Sequence, residues 1–349
     1  MDRCDASPRR DEPLPRPRLN PAPAAPGSLR TRSHRAMATA FTVYIDVPDE
    51  MQAQSCFQCV FDEIDRVEQA FSRFRASSEI SRINRHAAAG PMVTDPETFR
   101  LLAAAVDLSR RTEGVFDITV GRLTRAWGFS LRQPKVPDAQ TLAAAEQCSG
   151  WPHLELDPEW RTVHFLRHGL ELDLGAIAKG YAVDCALEVL RSFTVQGLID
   201  AGSSSIAATD EAFARGWDVS IANPLDASAP LGEVQLGQRA LGTSGVREQS
   251  FVHDGRIHSH LVDPTAHGLP SGVPLRQVLQ ATVLAPTSML ADALSTAAFL
   301  LGPERGAAAL EQFPGCSALW VCSRGNQIEC MAHQWPGYKS SPWKESNNG

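Results

Sequence analysis

The chain has 349 residues, of which 43% are hydrophobic, enough for a core of one large or two ordinary domains. Its net charge of −7 and the lack of a basic stripe argue against a nucleic-acid binder. No run of 18 apolar residues occurs, so no transmembrane segment is expected.

Residues 1–36 hold eight arginines, four acidic residues and seven prolines, and read as a disordered tail. The opening Met1-Asp-Arg-Cys-Asp-Ala-Ser-Pro has no apolar stretch of a secretory signal, and Cys4 lacks the apolar segment of a lipoprotein signal. A cytoplasmic location is the default expectation. Residues 41–47 alternate apolar and polar, as an opening strand does. A helix is expected over 49–74, where Cys56, Val60, Ile64, Val67 and Phe71 recur at helical spacing. It carries Cys56-Phe-Gln-Cys59. No second C-x-x-C or spaced histidine pair completes a zinc set, so these cysteines read as a helix surface or seam. Asp95 and Pro96 start a further helix that runs to Arg111 and stops at Gly114. Residues 115–150 read as irregular, with a short helix near 139–147, and 151–174 as strand-turn-strand. A helix follows over 176–192. Residues 197–285 read as successive strands, among them Gly232–Leu236, Ser250–His253 and Ile257–Leu261, with Asp254-Gly255 as a hairpin turn. A helix over 288–301 stops before Gly302-Pro303, and a shorter one covers 304–312. Ala318–Cys322 and Gln327–Met331 form a closing hairpin around Arg324-Gly325-Asn326, and 332–349 read as a loose C-terminal tail. Strands and helices come in clusters, which predicts an α+β fold with mixed or antiparallel sheets and flanking helices, as a single domain over 37–331.

Chemistry concentrates in three places. Asp173-Leu-Gly-Ala-Ile-Ala-Lys-Gly-Tyr-Ala-Val-Asp184 turns at Gly175 into a small-residue helix. Gly175 and Gly180 permit close approach of a ligand, the helix start offers free N–H groups, and Lys179 adds a positive charge. That layout suits a phosphate group; it equally suits a strand-to-helix corner with two packing glycines. Asp292 and Thr296 lie four apart on one helix, hence on one face. A carboxylate and a hydroxyl are hard oxygen ligands that suit Mg²⁺, and the same pair also describes an ordinary polar face. His260, on a strand, is the best-placed imidazole for moving a proton, or a structural histidine.

Six ordered blocks carry a family resemblance. They are Met37-Ala-Thr-Ala-Phe-Thr-Val, Phe71-Ser-Arg-Phe-Arg-Ala-Ser-Ser-Glu-Ile-Ser-Arg-Ile-Asn84, and Gly114-Val-Phe-Asp-Ile-Thr-Val-Gly121 with Trp127-Gly-Phe129. Asp173–Asp184, Ser259-His-Leu-Val-Asp-Pro264 and Ala285-Pro-Thr-Ser-Met-Leu-Ala-Asp-Ala-Leu-Ser-Thr296 complete the set. Over about 37–331 the chain resembles the ApbE family, the FAD:protein FMN transferases. The resemblance implies that FAD is the substrate, that its pyrophosphate is cleaved with loss of AMP, and that FMN is joined by a phosphoester to a Thr or Ser of an acceptor protein. It implies Mg²⁺ held by Asp292, Thr296 and the carbonyl of Ala176. It implies His260 and Lys179 as catalytic residues, and Met37, Phe74, Asp117, Asp173, Lys179, Ser259 and His260 as FAD contacts. Two other readings stay open: FAD pyrophosphatase activity, with water as acceptor, and FAD binding without turnover. Three loops depart from the pattern. Asp200-Ala-Gly-Ser-Ser-Ser-Ile206 replaces a Gly and an Asp by serines, Thr243-Ser-Gly-Val-Arg247 loses an acidic and an aromatic residue, and Asp263-Pro-Thr-Ala-His267-Gly268 differs after the proline.

Overall fold

The computed structural model describes residues 29–131, 133–209, 217–226, 228–247, 250–253, 256–266, 278–324 and 327–337. The chain opens with strands β1 (Leu29–Ala36) and β2 (Thr39–Asp46), helices α1 (Glu50–Phe71) and α2 (Glu79–His86), strand β3 (Met92–Val93) and helix α3 (Pro96–Arg111). Helices α4 (Gly121–Ala126) and α5 (Ala139–Gln147), strands β4 (Leu154–Asp157) and β5 (Thr162–Phe165) and helix α6 (Ala178–Ser192) follow. Next come β6 (Gln196–Ala201), β7 (Ser205–Ala208), β8 (Asp218–Ile221), β9 (Gly232–Gln235), β10 (Ala240–Gly245), β11 (Ser250–His253) and β12 (Arg256–Ser259). The chain closes with β13 (Val278–Ala285), α7 (Ser288–Leu310), β14 (Ser317–Arg324) and β15 (Gln327–His333). Helices α2 and α4 were not expected; both are short. The turn residues Asp254-Gly255 and Gly325-Asn326, and His267-Gly268, lie outside the described residues.

Eight strands form one sheet in the order β1-β2-β6-β7-β10-β13-β14-β15, every neighbour antiparallel. The expected α+β class with antiparallel sheets is therefore observed. Alternation along the strands separates two apolar faces. Phe41, Val43 and Ile45 of β2, Ile199 and Ala201 of β6, Ala281 and Val283 of β13, and Ala318 and Trp320 of β14 face α1, α6 and α7 in the larger core. Leu198, Ile206, Leu241, Leu284 and Leu319 face the other way, onto the β8–β9 hairpin and Trp217. Each fully buried Val, Leu, Ile or Phe contributes about 1.5–3 kcal/mol of transfer free energy, and the larger core supplies most of the total. In α1, Cys56 faces this core while Cys59 is exposed, so the C-x-x-C straddles the helix seam. Helix α7 breaks at Gly302, whose φ of 73° is non-helical, immediately before Pro303. This is where the sequence placed a helix end.

The tail boundaries need correction. Residues 29–36 are strand β1, paired along its whole length with β2. The composition hid it: Leu-Arg-Thr-Arg-Ser-His-Arg-Ala is polar because β1 is an edge strand, and charged side chains on an edge discourage further pairing. Arg30 ties it down through the carbonyls of Val47 and Pro48, both at 2.8 Å. Met37, the first residue of the opening resemblance block, sits with Ala38 in the two-residue turn between β1 and β2. Both have positive φ, 49° and 62°, as a tight primed hairpin turn demands and as Asn-Gly would adopt more cheaply. At the other end β15 continues to His333, and Trp335 is buried in the smaller core, so the packed domain extends past 331. Deleting residues 1–36 should therefore destabilise the protein by roughly 2 kcal/mol or more, because the β2 backbone loses its partner. Thermal unfolding of the full chain against the truncated one checks this. An unchanged melting temperature would mean that β1 contributes nothing.

Candidate functional site

The signature turn begins with Asp173, whose Oδ1 accepts the Gly175 N–H at 3.0 Å. The N–H groups of Ile177 and Ala178 both bond the Leu174 carbonyl, and α6 starts at Ala178. The N–H of Gly180, four residues after Ala176, is directed at Asp292 Oδ2 at 3.0 Å. Gly180 is obligatory for this contact. A Cβ there would stand 2.2 Å from the Ser288 carbonyl oxygen and 2.8 Å from the Asp292 Cβ. Gly242 of β10 meets α7 from the other side, with a Cβ position 2.2 Å from the Ala291 carbonyl oxygen. The first turns of α7 are thus wedged between two glycines, and this fixes Asp292.

Asp292 is 3% exposed. Its Oδ1 accepts from Ser205 Oγ at 3.1 Å and lies 3.5 Å from Lys179 Nζ. One turn further on, Thr296 Oγ1 lies 3.2 Å from Ser244 Oγ, which also meets Ser295 Oγ at 2.8 Å. Lys179, named apart from the Asp292–Thr296 pair in the sequence, therefore joins it in one cluster. Ala176 is half-buried at the turn that feeds it. The donors here are oxygens with a single carboxylate, and no group of three or more His, Cys, Asp or Glu side chains with metal-site spacing occurs among the described residues. That composition fits Mg²⁺, which takes few protein oxygens and keeps room for water and phosphate. Two altered loops supply part of the cluster: Ser205 and Ser244 are hydroxyl partners of Asp292 and Thr296. Ser203, after Gly202, adopts a φ of 60°, a conformation that a glycine takes at lower cost.

Asp184 ends the signature and holds the two helices together. Its carboxylate accepts the N–H groups of Ser288 and Met289 at the start of α7, both at 2.8 Å. Burial pushes its carboxyl up from 3.8 to about 6, with the Asp292 charge acting in the same direction. The folded protein therefore holds this proton more tightly than the unfolded chain. Asp184's contribution to stability is greatest below pH 4 and declines as pH rises to about 6, by on the order of 3 kcal/mol for a two-unit shift. Denaturant unfolding of the wild type and Asp184→Ala, without added divalent metal, should show a stability difference larger at pH 4.5 than at pH 7. A difference independent of pH would contradict the shift.

A second group centres on Arg73, a residue the sequence did not mark. Its side chain is 6% exposed and pairs with Glu171 and Asp173, each at 3.1 Å. Asp173 also accepts from Thr124 Oγ1 at 3.1 Å. The Arg73 guanidinium lies 4.8 Å from the ring centroid of Phe74, which is 69% exposed. Arg73 thus holds together two of the expected flavin contacts. An arginine inside Phe71-Ser-Arg-Phe-Arg reads as surface, and only the fold reveals its burial. Asp173 N–H bonds the Ile118 carbonyl at 2.7 Å, which joins this group to the loop bearing Asp117. Asp117 is buried and accepts from Thr119 N and Oγ1, both 2.7 Å, and from Trp151 N at 2.8 Å. Burial raises its carboxyl above the ordinary range, against the pull of those donors. It shapes its own loop first.

Ser259 and His260 form a third group, at the end of β12. Ser259 is 2% exposed. The His260 ring meets Phe129 edge-on at 6.4 Å, Phe129 meets Phe251 at 5.9 Å, and Trp127 stacks on His258 at 5.3 Å. The Trp127-Gly-Phe129 block thus forms an aromatic wall behind the histidine strand. Asp263 accepts from Thr265 N and Oγ1, at 2.8 and 2.7 Å, and shapes the turn after it. The Thr265 methyl lies 3.7 Å from where a Cβ on Gly114 would be, so the turn abuts the loop leading to Asp117. No described helix is long and apolar enough to cross a membrane.

Comparison with known proteins agrees with this arrangement. The FAD:protein FMN transferase of Klebsiella pneumoniae is 32% identical over 265 residues, covering 75% of this chain and 80% of that protein. That of Vibrio cholerae is 30% identical over 281 residues, covering 79% and 82%. Among solved structures, the ApbE protein of Thermotoga maritima superposes with a TM-score of 0.77 at 28% identity, over 86% of this chain and 96% of that one. The flavin transferase ApbE of Vibrio cholerae gives 0.75 at 28% identity, over 88% and 97%. The sequence pattern of the ApbE family matches residues 37–320, and the chain belongs to that family.

Proposed function

We propose that this chain is an Mg²⁺-dependent FAD:protein FMN transferase, which cleaves FAD, releases AMP and joins FMN through a phosphoester to a Thr or Ser of an acceptor protein. The cluster of Lys179, Gly180, Asp292 and Thr296 where α6 meets α7 carries this reading, in a family whose curated relatives are named FAD:protein FMN transferases. Asp292, Thr296 and the Ala176 carbonyl would hold Mg²⁺, which when bound neutralises charge developing on phosphate oxygens. Phosphoryl transfer asks for positioning and charge compensation more than for covalent help. Lys179 offers a positive charge to the pyrophosphate, while the Gly180 N–H at the start of α6 serves Asp292. Phe74, Met37, Asp117, Asp173 and Ser259 would contact the flavin nucleotide. The strained Met37-Ala38 turn is consistent with a backbone held for a ligand. His260 takes the acceptor hydroxyl proton as the oxygen bonds to the FMN phosphorus, and the bond from that phosphorus to the AMP oxygen breaks. A cytoplasmic location belongs to the same proposal.

The test is incubation of the purified chain with FAD, MgCl₂ and candidate acceptors, namely flavin-dependent electron-transfer proteins. A fluorescent flavin band that survives denaturing electrophoresis, and disappears with EDTA, is the expected result. Free FMN and AMP without a band would make the protein a pyrophosphatase. Unchanged bound FAD would make it a binder.

A further inference from the structure

Beside the Arg73 group lies an open cleft of about 580 Å³, within the range that takes a ligand or a short peptide segment. Arg73, Phe74, Arg85, Arg122, Arg125 and Glu171 line it. Glu171, with a side chain 11% exposed, gathers the arginines: Arg125 at 2.6 Å, Arg73 at 3.1 Å and Arg122 at 3.7 Å. Four arginines outnumber the two carboxylates they meet, Glu171 in the lining and Asp173 against Arg73, and leave the cleft positive in a chain of net charge −7. Arg125 and Arg122 keep 56% and 48% of their side chains exposed, so their remaining donors are open to an incoming carboxylate. The Nε of Arg73 is buried without a hydrogen-bond partner among the described residues, while the other two guanidinium nitrogens pair with Glu171 and Asp173.

We infer that this cleft docks an acidic segment of the acceptor protein, its carboxylates held by Arg122 and Arg125. The inference rests on the transferase reading. Two links make a docked protein segment the better occupant: Phe74 belongs both to the cleft and to the proposed flavin contacts, and Arg73 pairs directly with Asp173 of the signature turn. A chain held here lies beside the substrate. Guanidinium groups bind carboxylates through paired N–H donors, which fixes direction as well as strength.

The test uses the full chain and two fluorescein-labelled, Thr-centred peptides that differ only in carrying Asp or Asn around the threonine. Fluorescence anisotropy should show the Asp peptide binding about tenfold tighter or better at low salt, with the preference shrinking at high salt. Arg122→Gln/Arg125→Gln should erase the preference while the melting temperature stays near that of the wild type. Arg85→Gln, on an exposed side chain, should weaken it partially, and it decides the matter if the double variant does not fold. Equal binding of the two peptides, or a preference that survives these substitutions, overturns the inference. So does tight binding of inorganic pyrophosphate with no Asp preference, which would assign the cleft to a small phosphorylated ligand. Covalent flavin transfer is scored separately on the wild type. Failure to label any acceptor sinks the transferase reading, whereas labelling without an Asp preference sinks only the docking surface.

Discussion

Asp292→Ala should abolish measurable flavin transfer, a loss of roughly 10³-fold or more, because it removes the single carboxylate of the proposed metal site. Its structural cost is not zero. Asp292 is buried and serves the Gly180 N–H and the Ser205 hydroxyl. Alanine strands both donors, which costs about 1–3 kcal/mol. The buried apolar neighbours of Asp292 on α7 are retained, and alanine has high helix propensity, so the fold should persist. Asp292→Asn separates the two effects: it keeps the shape and one acceptor oxygen but removes the charge. Both variants should lose Mg²⁺-dependent activity, and Asn should recover most of the stability. Thr296→Ala should be milder, since a hydroxyl is a neutral ligand and Ser244 keeps Ser295 as a partner. Transfer rate and melting temperature, measured on the same preparations with and without Mg²⁺, give the answer. Normal Mg²⁺-dependent transfer by Asp292→Ala would remove this residue from the site.

His260→Asn should slow transfer by roughly 10²–10⁴-fold, the usual reach of general acid–base catalysis. FAD affinity should change little, because the imidazole acts on the acceptor hydroxyl. The limb of the kcat–pH profile that a histidine base supplies should vanish. The aromatic wall makes the competing outcome concrete. His260 packs edge-on against Phe129, so a histidine that only fills this contact would, on replacement, lower stability and leave kcat near normal. Phe129→Leu offers an independent check. If the wall aims His260, that change should lower kcat more than it alters FAD binding, although it removes no titrating group. Unchanged kcat in His260→Asn, with reduced stability, would end its catalytic assignment.

Several elements were legible because their signals are local. The Asp49–Phe71 region shows a helical stripe that becomes a buried face, and Asp95-Pro96 caps α3 as its composition says. Gly302-Pro303 breaks α7 because neither residue continues a helix, whatever surrounds it. The opening strand β2 shows the alternation expected over 41–47, whereas β6 and β13 are buried on both faces and carry no apolar–polar period. Asp292 and Thr296 share a face through helical geometry alone.

Other features depend on residues far apart in sequence and have no local signature. Strand β1 is polar because it lies at an edge, so its composition matches that of a tail; its pairing with β2 exists only in three dimensions. Trp335 reads as loose sequence until the smaller core covers it. Arg73 looks like any surface arginine, yet carboxylates 98 and 100 positions away in the chain pay for its burial. Gly180 reads equally as a ligand-approach or a packing glycine and Gly242 carries no local signal; only the approach of α7 shows that both are packing glycines, each removing a side chain that would push Asp292 away. The sequence by itself determined the family, the α+β class and which residue types could perform phosphoryl transfer, because those follow from ordered motifs and short-range periodicity. The tertiary structure alone decided that Lys179 and two serines meet the Asp292–Thr296 face, and that Arg73, Arg122 and Arg125 gather on Glu171, because close contacts between distant segments are set by packing, which no local spacing encodes.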